Sequence, residues 1–319
     1  MNHLLIKMKV CLIDKIHPSL TDTFKSKGWT VDDIHHYSDD FVIKQIKEYD
    51  GIIIRSRLKL TASILANYPN LKFIGRPGAG LENIDLSYCE TNNINVFRSP
   101  EGNRDAVAEH AIGSLISLLR YIPKANNEVK SGTWNRLSNR GEEIMNKTIG
   151  IIGYGYMGEA FAKRLSSFGA TVIAYDKYKS DFSDSYVKKV SLAELQATAD
   201  IISLHTPLTQ ETKGLVNDSF IKSCSKDFWL LNTARGQSVV LSDLVQHLKT
   251  GKIKGASLDV LEIEKTSFED VLINQQSEAV NFLSQADNVI LTPHVAGWTH
   301  QSNEKMARFL AEKIIAFYE

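Results

Sequence analysis

The sequence predicts an α/β protein with two doubly wound parallel sheets, and three observations lead to that prediction. The chain has 319 residues, and at about 150 residues per domain this length corresponds to two domains. Short apolar, β-branched runs alternate with amphipathic stretches over most of the length, which is typical of strands and helices around parallel sheets. A long apolar helical stretch separates these runs into two series. We therefore expect each series to form one sheet.

The first series predicts five strands with helical stretches between them. These strands are residues 10–14, 30–34, 51–54, 72–76 and 94–98. Five parallel strands in this pattern indicate a flavodoxin-like unit.

The second series predicts six strands and a Rossmann-type sheet. These strands are residues 148–152, 171–175, 201–204, 228–231, 256–260 and 289–291. A long polar loop is expected at residues 262–286, before the last strand.

Two long helices define the expected domain boundaries. Residues 105–121 have helical spacing and link the two series, with Pro123 just beyond their end. Residues 301–319 form a terminal amphipathic helix that we expect to dock on the first domain. The predicted division is residues 1–104 plus 297–319 for a discontinuous first domain and residues 105–296 for the second.

Composition excludes several classes of protein. The chain contains 43% hydrophobic and 23% charged residues, and its 37 basic side chains equal its 37 acidic ones. This balance provides no global field for nucleic acid or for an anionic membrane. No apolar run approaches the roughly 20 residues that cross a bilayer. Cys11, Cys89 and Cys224 are far apart and form no CxxC pair, which favours a reducing cytoplasm over a disulfide framework.

A glycine-rich segment follows the first strand of the second series. Gly153, Gly155 and Gly158 form a GxGxxG motif before a helical stretch. The first glycine permits a tight turn, the second lets the backbone approach a pyrophosphate, and the third lets helix and strand pack closely. Asp176 lies 18 residues after Gly158, where a carboxylate binds ribose hydroxyls and repels a 2′-phosphate. The motif predicts a dinucleotide site that favours NAD over NADP, although Lys177 follows the carboxylate directly.

Residues 231–236 (LNTARG), 258–260 (LDV) and 292–294 (TPH) resemble the signature segments of the D-isomer-specific 2-hydroxyacid dehydrogenases. Residues 204–208 (LHTPL) are similar to the loop of this family beside the nicotinamide ribose and adenine. The resemblance covers nearly the whole chain. It implies NAD-dependent oxidation of a D-2-hydroxy acid to the 2-keto acid by hydride transfer.

The resemblance also implies a catalytic set. His294 is the expected general acid/base, Glu264 its carboxylate partner and Arg235 the substrate anchor. Histidine suits proton transfer because its ordinary pKa lies near neutrality, and the planar fork of arginine suits a carboxylate. Glu262 lies two residues from Glu264, and Lys265 stands where the family usually has proline.

The same resemblance assigns cofactor contacts, with Asp259 supporting the nicotinamide carboxamide. The expected cofactor-binding residues are Gly153, Gly155, Tyr156, Met157, Gly158, Asp176, His205, Thr206, Pro207, Thr233, Ala234, Arg235, Asp259, His294 and Gly297. No metal site is expected, because the adjacent His35 and His36 point to different sides of a strand or turn.

Substrate contacts are expected from Arg235 and from two segments of the first domain. Gly78, Ala79 and Gly80 resemble the family loop whose backbone N–H groups hold the substrate carboxylate. Arg55, Ser56 and Arg57 resemble the arginine pair with which the D-3-phosphoglycerate dehydrogenases of the family hold a distal phosphate. The resemblance is closest to these enzymes, in a form without a regulatory domain, since 25 residues follow His294. It implies oxidation of D-3-phosphoglycerate to 3-phosphohydroxypyruvate, as in serine biosynthesis.

Several alternatives stay open on the sequence alone. Within the family they are hydroxypyruvate or glyoxylate reductase and D-lactate dehydrogenase. An alternative of another class is an NAD-responsive binding module similar to the corepressors of this fold. The family also forms dimers through the helix at residues 105–121 and the segment after it, where Trp134, Asn135 and Arg136 lie, so we expect a homodimer.

Overall fold

The computed structural model describes residues 7–182, 184–264 and 277–319, which form two compact units. The first unit comprises the described residues up to Asn103 together with Trp298–Glu319. The second comprises the described residues from Arg104 to Gly297. Within the described ranges, no helix combines the length and the apolar character that crossing a membrane requires.

Strands and helices alternate along most of the described chain. In chain order the strands are β1 (Lys9–Leu12), β2 (Thr30–Asp33), β3 (Gly51–Ile53), β4 (Phe73–Arg76), β5 (Asn95–Arg98), β6 (Thr148–Ile152), β7 (Thr171–Tyr175), β8 (Lys188–Lys189), β9 (Ile201–Leu204), β10 (Phe228–Asn232), β11 (Ile253–Leu258) and β12 (Val289–Leu291). The α-helices are α1 (Pro18–Ser26), α2 (Asp39–Gln45), α3 (Ala62–Leu65), α4 (Leu86–Thr91), α5 (Arg104–Leu119), α6 (Ile122–Lys130), α7 (Tyr156–Leu165), α8 (Leu192–Thr198), α9 (Asp218–Ser223), α10 (Leu241–Thr250), α11 (Glu278–Gln285) and α12 (His300–Tyr318).

The first unit contains a parallel sheet in the order β2-β1-β3-β4-β5. This is the flavodoxin-like order, and it confirms the five strands predicted from the first series. Helix α12 packs against α1 on one face of this sheet. Its side chains Leu310 and Ile314 are fully buried in a cluster with Phe24 and Phe73.

The second unit contains a parallel sheet in the order β12-β11-β10-β9-β6-β7-β8. The six strands predicted from the second series are confirmed, and a seventh, β8, was missed. The strand β8 consists of the exposed pair Lys188 and Lys189 and therefore carries no apolar signal. The chain runs outward from β6 to β8, then returns to β9 and continues to β12, so the topological switch point lies between β6 and β9.

Two other elements of the second unit differ from the prediction. The predicted helix at residues 105–121 ends at Leu119, and a further helix, α6, begins at Ile122 after Tyr121 adopts a left-handed φ of 50°. Pro123 lies in the first turn of α6, where its missing N–H has no helical acceptor. The predicted loop at residues 262–286 contains α11, which is capped by Ser277 and buries Val280 and Leu283. Residues 265–276 lie outside the described residues.

Candidate active site

The predicted cofactor and catalytic residues of the second unit lie at one edge of its sheet. Each segment follows the carboxyl end of a strand: Gly153 follows β6, Asp176 β7, His205 β9, Thr233 β10, Asp259 β11 and Thr292 β12. Ligands of open parallel sheets bind outside the carboxyl ends of the strands at the switch point. The topology therefore places these segments where a dinucleotide is expected.

The three glycines of the loop between β6 and α7 meet different constraints. Gly153 has a φ of +93°, and a Cβ there would lie 2.8 Å from the carbonyl oxygen of His205. A Cβ on Gly158 would lie 2.2 Å from the carbonyl oxygen of Gly153. A Cβ on Gly155 would have no heavy atom of the described residues within 4 Å. The protein's own packing requires Gly153 and Gly158, whereas Gly155 leaves space that fits a closely bound pyrophosphate.

Alanine substitutions should separate these two constraints. Gly155 has an ordinary φ of −92°, so we expect Gly155→Ala to keep the stability of the wild type and to weaken NAD binding about tenfold or more. We expect Gly158→Ala to lower the free energy of unfolding by about 2 kcal/mol, because its Cβ overlaps backbone. Calorimetric titration with NAD and chemical unfolding measure the two effects. Equal loss of stability in both variants would contradict this interpretation of the loop.

Asp176 ties the glycine loop to the segment that follows β7. Its Oδ2 accepts the N–H of Tyr154 at 2.8 Å, and its Oδ1 accepts the N–H groups of Tyr178 and Lys179, both at 2.9 Å. Burial opposes ionisation, but these N–H groups prevail and hold the pKa of Asp176 below its ordinary value. Asp176 is therefore a carboxylate at neutral pH, as a ribose-binding residue requires.

Lys177, which follows Asp176, is paired with an acid. Its Nζ lies 2.5 Å from Oε1 of Glu211, and the hydroxyl of Tyr178 donates to Oε2 of the same residue at 2.5 Å. The charge of Lys177 is thus balanced within the protein. This arrangement fits a site for NAD, which has no 2′-phosphate.

The loop after β9 packs on the first glycine. Burial lowers the pKa of His205 from its ordinary 6.5 to about 4, so its imidazole is neutral at pH 7. Its Nε2 lies 2.9 Å from the hydroxyl of Ser203. The hydroxyls of Thr206 and, after β10, Thr233 are buried without a hydrogen-bond partner among the described residues. Buried polar atoms normally have partners, and these two fit the polar groups of a bound nucleotide.

The low pKa of His205 makes stability depend on pH. Between pH 6.5 and 4 the unfolded chain binds a proton at this residue and the folded chain does not, so stability falls on acidification through this window. We expect the loss to be on the order of 2 kcal/mol in the absence of cofactor. Urea unfolding at several pH values measures it. The loss should disappear in His205→Gln and persist in the exposed control His300→Gln; persistence in both would exclude His205 as its source.

Arg235 is positioned by the turn after β10. The fully buried side chain of Asn232 accepts the N–H of Ala234 at 3.0 Å and donates to the carbonyl oxygen of Arg235 at 2.9 Å. Nη1 of Arg235 donates to the carbonyl oxygen of Ala234 at 2.7 Å. A Cβ on Gly236 would lie 1.9 Å from the carbonyl oxygen of Leu261, so this turn packs directly on the segment that leads to Glu264.

His294 and Glu264 form the predicted pair. Nδ1 of His294 lies 2.9 Å from Oε2 of Glu264, whose Oε1 accepts the N–H of Leu261 at 2.5 Å. The backbone of His294 is left-handed, with a φ of 53°, and its N–H donates to the carbonyl oxygen of Asp259 at 2.8 Å. A non-glycine residue in this conformation is strained and is often found at functional sites.

The choice between Glu262 and Glu264 follows from their contacts. Oε2 of Glu262 accepts the N–H of Leu241 at 3.1 Å, in the first turn of α10. A carboxylate at a helix N-terminus satisfies an unpaired N–H group and the helix dipole. Glu262 therefore stabilises α10, and Glu264 contacts the histidine.

Asp259 holds the backbone on which His294 lies. Its side chain is 1% exposed. The carboxylate accepts the hydroxyl of Thr292 at 2.6 Å and the N–H groups of Val295 and Ala296 at 2.9 and 2.8 Å. These contacts fix the chain on both sides of His294. In this structure the carboxylate is thus a positioning group for the histidine, a role that the resemblance did not include.

One residue of this network, His110 on α5, was missed from the sequence. Its Nε2 lies 3.2 Å from Oγ1 of Thr292 and 3.7 Å from Oδ1 of Asp259. Because the Thr292 hydroxyl donates to Asp259, the imidazole donates to the Thr292 oxygen. The signal in the sequence was a single histidine within the largely apolar stretch of α5.

In the first unit, the guanidinium of Arg57 hydrogen-bonds to neighbouring groups of the protein. Nε donates to Asp39 at 2.7 Å, and Nη1 donates to the carbonyl oxygens of Ile13 and His35 at 3.1 and 2.6 Å. Nη2 donates to the carbonyl oxygen of Tyr37. This guanidinium fixes the loop between β2 and α2, so we do not retain Arg57 as a substrate contact.

Arg55 differs from Arg57 in its partners. Its backbone N–H donates to Oδ2 of Asp14 at 2.5 Å. Within the described part of the chain, no acceptor lies within hydrogen-bonding distance of its partly buried guanidinium. Of the two predicted arginines, Arg55 is the one with N–H groups available to an anion.

The loop after β4 has the close packing expected of a glycine-rich turn. Gly78 has a φ of +149°, and a Cβ there would lie 3.0 Å from Nη1 of Arg76. The carbonyl oxygen of Ala79 accepts Nη1 of Arg98 at 2.9 Å, and Gly80 is buried. Glycine thus lets a buried arginine approach the loop that was predicted to hold a carboxylate.

The expectation that His35 and His36 point to different sides is wrong. Ligand atoms of Asp33, His35 and His36 lie within 4.8 Å of one another at the end of β2. The chain turns here, so the alternation of a strand does not apply. Oδ1 of Asp33 and Nδ1 of His35 are 2.5 Å apart and satisfy each other.

A family model matches more than half of the chain. Residues 112–296 match the model of the family described as "D-isomer specific 2-hydroxyacid dehydrogenase, NAD binding domain". The chain is 36% identical over 279 residues to a hydroxypyruvate reductase of Thermotoga maritima, covering 88% of each chain. It is 35% identical over 316 residues to a D-3-phosphoglycerate dehydrogenase of Haemophilus influenzae, covering 98% of this chain and 75% of that enzyme.

Solved structures show the same architecture. A D-lactate dehydrogenase of Aquifex aeolicus, complexed with NAD and lactic acid, has a TM-score of 0.82 at 28% identity, covering 97% of this chain and 95% of that chain. A D-2-hydroxyisocaproate dehydrogenase has a TM-score of 0.83 at 25% identity, covering 97% and 96%. These relatives differ in substrate, and the similarity to all of them lies in the family and the fold.

Proposed function

Because this chain belongs to the D-isomer-specific 2-hydroxyacid dehydrogenase family and is an NAD-dependent oxidoreductase, we propose that its substrate is D-3-phosphoglycerate, oxidised to 3-phosphohydroxypyruvate. This is a reaction of serine biosynthesis. The observation that carries the proposal is Arg55, whose partly buried guanidinium has no acceptor among the described residues. A partly buried guanidinium without a hydrogen-bond acceptor favours a ligand with a second anionic group.

His294 is the proposed general base. The Nδ1–H group donates to Glu264, which fixes the tautomer, and Nε2 is the proposed atom that takes the proton of the substrate hydroxyl. The negative charge of the Glu264 carboxylate stabilises the positively charged imidazolium that forms. In the reverse reaction the imidazolium returns the proton to the carbonyl oxygen.

The residues around the switch point are the proposed cofactor contacts. The Gly155 turn and the first turn of α7, with Tyr156 and Met157, face the pyrophosphate, and Asp176 binds the ribose hydroxyls. Thr206 and Thr233 supply the two buried hydroxyls. Bound NAD supplies the acceptor for the hydride that leaves C2 of the substrate.

The second unit is the proposed NAD-binding domain and the first unit the proposed substrate domain. In the second unit, the fork of Arg235 is a proposed substrate contact. In the first unit, the proposed substrate contacts are the N–H groups of residues 78–80 and, for the distal phosphate, Arg55 with Ser56. A homodimer is proposed through the exposed apolar side chains of the second unit. Trp134 and Leu137 are each 80% exposed, and Val129 is 52% exposed. An apolar surface of this kind is typical of a protein interface.

Replacing Arg55 tests the substrate assignment. We expect Arg55→Ala to lower kcat/KM for D-3-phosphoglycerate about 100-fold, the effect of losing a charge-assisted pair. D-Glycerate is the same molecule without the phosphate, and its kcat/KM should change about threefold or less. The exposed Arg308→Ala is the matched control. Equal losses of kcat/KM for both substrates would contradict the assignment of Arg55 to the distal phosphate.

A second candidate is hydroxypyruvate reductase, because the match to the Thermotoga maritima enzyme of that name covers 88% of both chains. That reaction interconverts hydroxypyruvate and D-glycerate and needs no second anion site. A wild-type preference for D-glycerate over D-3-phosphoglycerate would favour it.

A further inference from the structure

Arg55 makes one side-chain contact that neither the motifs nor the relatives assign. Its guanidinium carbon lies over the indole ring of Trp298, 4.4 Å from the ring centroid. Both residues belong to the first unit. Trp298 is 59% exposed. Packing in the core therefore does not explain why the indole lies beside the arginine.

The backbone of Arg55 is fixed independently of Trp298. Its N–H donates to Asp14, and its carbonyl oxygen accepts Nε of Arg76 at 2.9 Å and Nδ2 of Asn83 at 3.2 Å. Arg76 and Asn83 are themselves buried. The backbone position of Arg55 is therefore fixed, and only its side-chain torsion angles depend on the contacts of the guanidinium.

The position of Arg55 over the ring leaves its hydrogen-bond donors available. The face of an aromatic ring attracts a cation electrostatically and does not replace an oxygen acceptor for its N–H groups. Two parallel N–H groups of the planar guanidinium match two oxygens of a phosphate or carboxylate. Burial lowers the pKa of Arg55 and the charge of Asp14 opposes this change, but arginine stays protonated.

Arg57 provides the contrast within the same segment. Its guanidinium is held by hydrogen bonds to Asp39 and to backbone carbonyls, which use the N–H groups that an anion would need. Trp298 holds Arg55 without using any N–H group. A cation–π contact is thus a means of holding a cation while leaving its donors for a ligand.

We propose that Trp298 is a positioning residue that makes the site selective for substrates with a distal anionic group, by holding the guanidinium of Arg55 with its N–H edge exposed. The proposal rests on the proposed function, since it concerns the same arginine. Losing the ring restores the rotamer freedom of the arginine, which must then be lost again on binding. The cost falls on substrate binding and not on the chemical step.

The test compares Trp298→Leu, which keeps an apolar side chain but removes the ring, with Trp298→Phe, which keeps a ring. Phe317→Ala, at 58% exposure in the same unit, is the matched control. Steady-state KM and kcat are measured for D-3-phosphoglycerate and for D-glycerate with NAD, and thermal unfolding verifies that each variant folds.

We expect Trp298→Leu to raise KM for D-3-phosphoglycerate about tenfold with a much smaller change in kcat. The KM for D-glycerate should rise less than half as much, and Trp298→Phe should recover most of the lost affinity. Equal increases for both substrates, or equal losses in the Leu and Phe variants, would overturn the proposal. A wild-type enzyme that prefers D-glycerate overturns the proposed substrate and this inference together. A wild-type preference for D-3-phosphoglycerate whose size is unchanged in Trp298→Leu overturns the inference alone.

Discussion

Replacement of His294 by asparagine is expected to lower kcat by about 10³-fold, within the range that general acid/base catalysis contributes. Asparagine suits this test because it tolerates the left-handed φ of 53° at this position and keeps a donor for Glu264. It has no group that takes up a proton at neutral pH. The loss therefore reports proton transfer and not a distorted backbone. Stopped-flow measurement of NADH formation gives kcat.

The control for this variant is His300→Asn, which changes an exposed histidine six residues further along the chain. We expect this variant to keep the wild-type kcat. Calorimetric titration should give the same NAD affinity for His294→Asn as for the wild type. A kcat within tenfold of the wild type in His294→Asn would exclude this imidazole as the general base.

Replacement of Asp259 by asparagine is expected to affect both stability and turnover. The amide NH₂ group would replace one carboxylate oxygen that accepts N–H or O–H donors from Thr292, Val295 and Ala296. A donor facing a donor leaves buried groups unsatisfied, so the free energy of unfolding should fall by about 3 kcal/mol. Displacement of His294 by about 1 Å should lower kcat about 100-fold.

Urea unfolding and steady-state kinetics measure these two effects. Asp287→Asn is the matched control, because the Asp287 side chain is 69% exposed. Unchanged stability together with unchanged kcat in Asp259→Asn would show that this carboxylate does not hold the histidine segment. An unchanged kcat with a raised KM would point instead to a role in binding.

Most strands were predictable because each carries its own local signal. The buried strands β3, β6 and β9 are largely apolar runs, and the helices between them predict a parallel sheet. The strand β8 was missed because two exposed lysines carry no apolar pattern. The helix α6 was missed because a proline after a helical stretch usually indicates the end of a helix, whereas Pro123 lies in the first turn of a new one. The apolar pattern of a segment predicts a buried element. A short or exposed element lacks this pattern, and its formation depends on contacts with neighbouring segments.

The site was predictable where function requires residue types at a fixed spacing along the chain. The glycine loop, Asp176 and the pair of His294 and Glu264 belong to this class, and the structure brings that pair to 2.9 Å. Contacts between distant segments were not predictable, because residue type does not identify a partner. Arg57 hydrogen-bonds to its own loop, and Arg55 lies over the ring of Trp298, which is 243 positions away in sequence.

The most direct test of the account is the substrate preference of the wild-type enzyme. NADH formation is measured with NAD and, in parallel, D-3-phosphoglycerate, D-glycerate, D-lactate and the L-enantiomers of glycerate and lactate. The account predicts oxidation of D-enantiomers only, with a kcat/KM for D-3-phosphoglycerate at least tenfold above that for D-glycerate. Turnover of the L-enantiomers, or a preference for D-glycerate or D-lactate over D-3-phosphoglycerate, would contradict it.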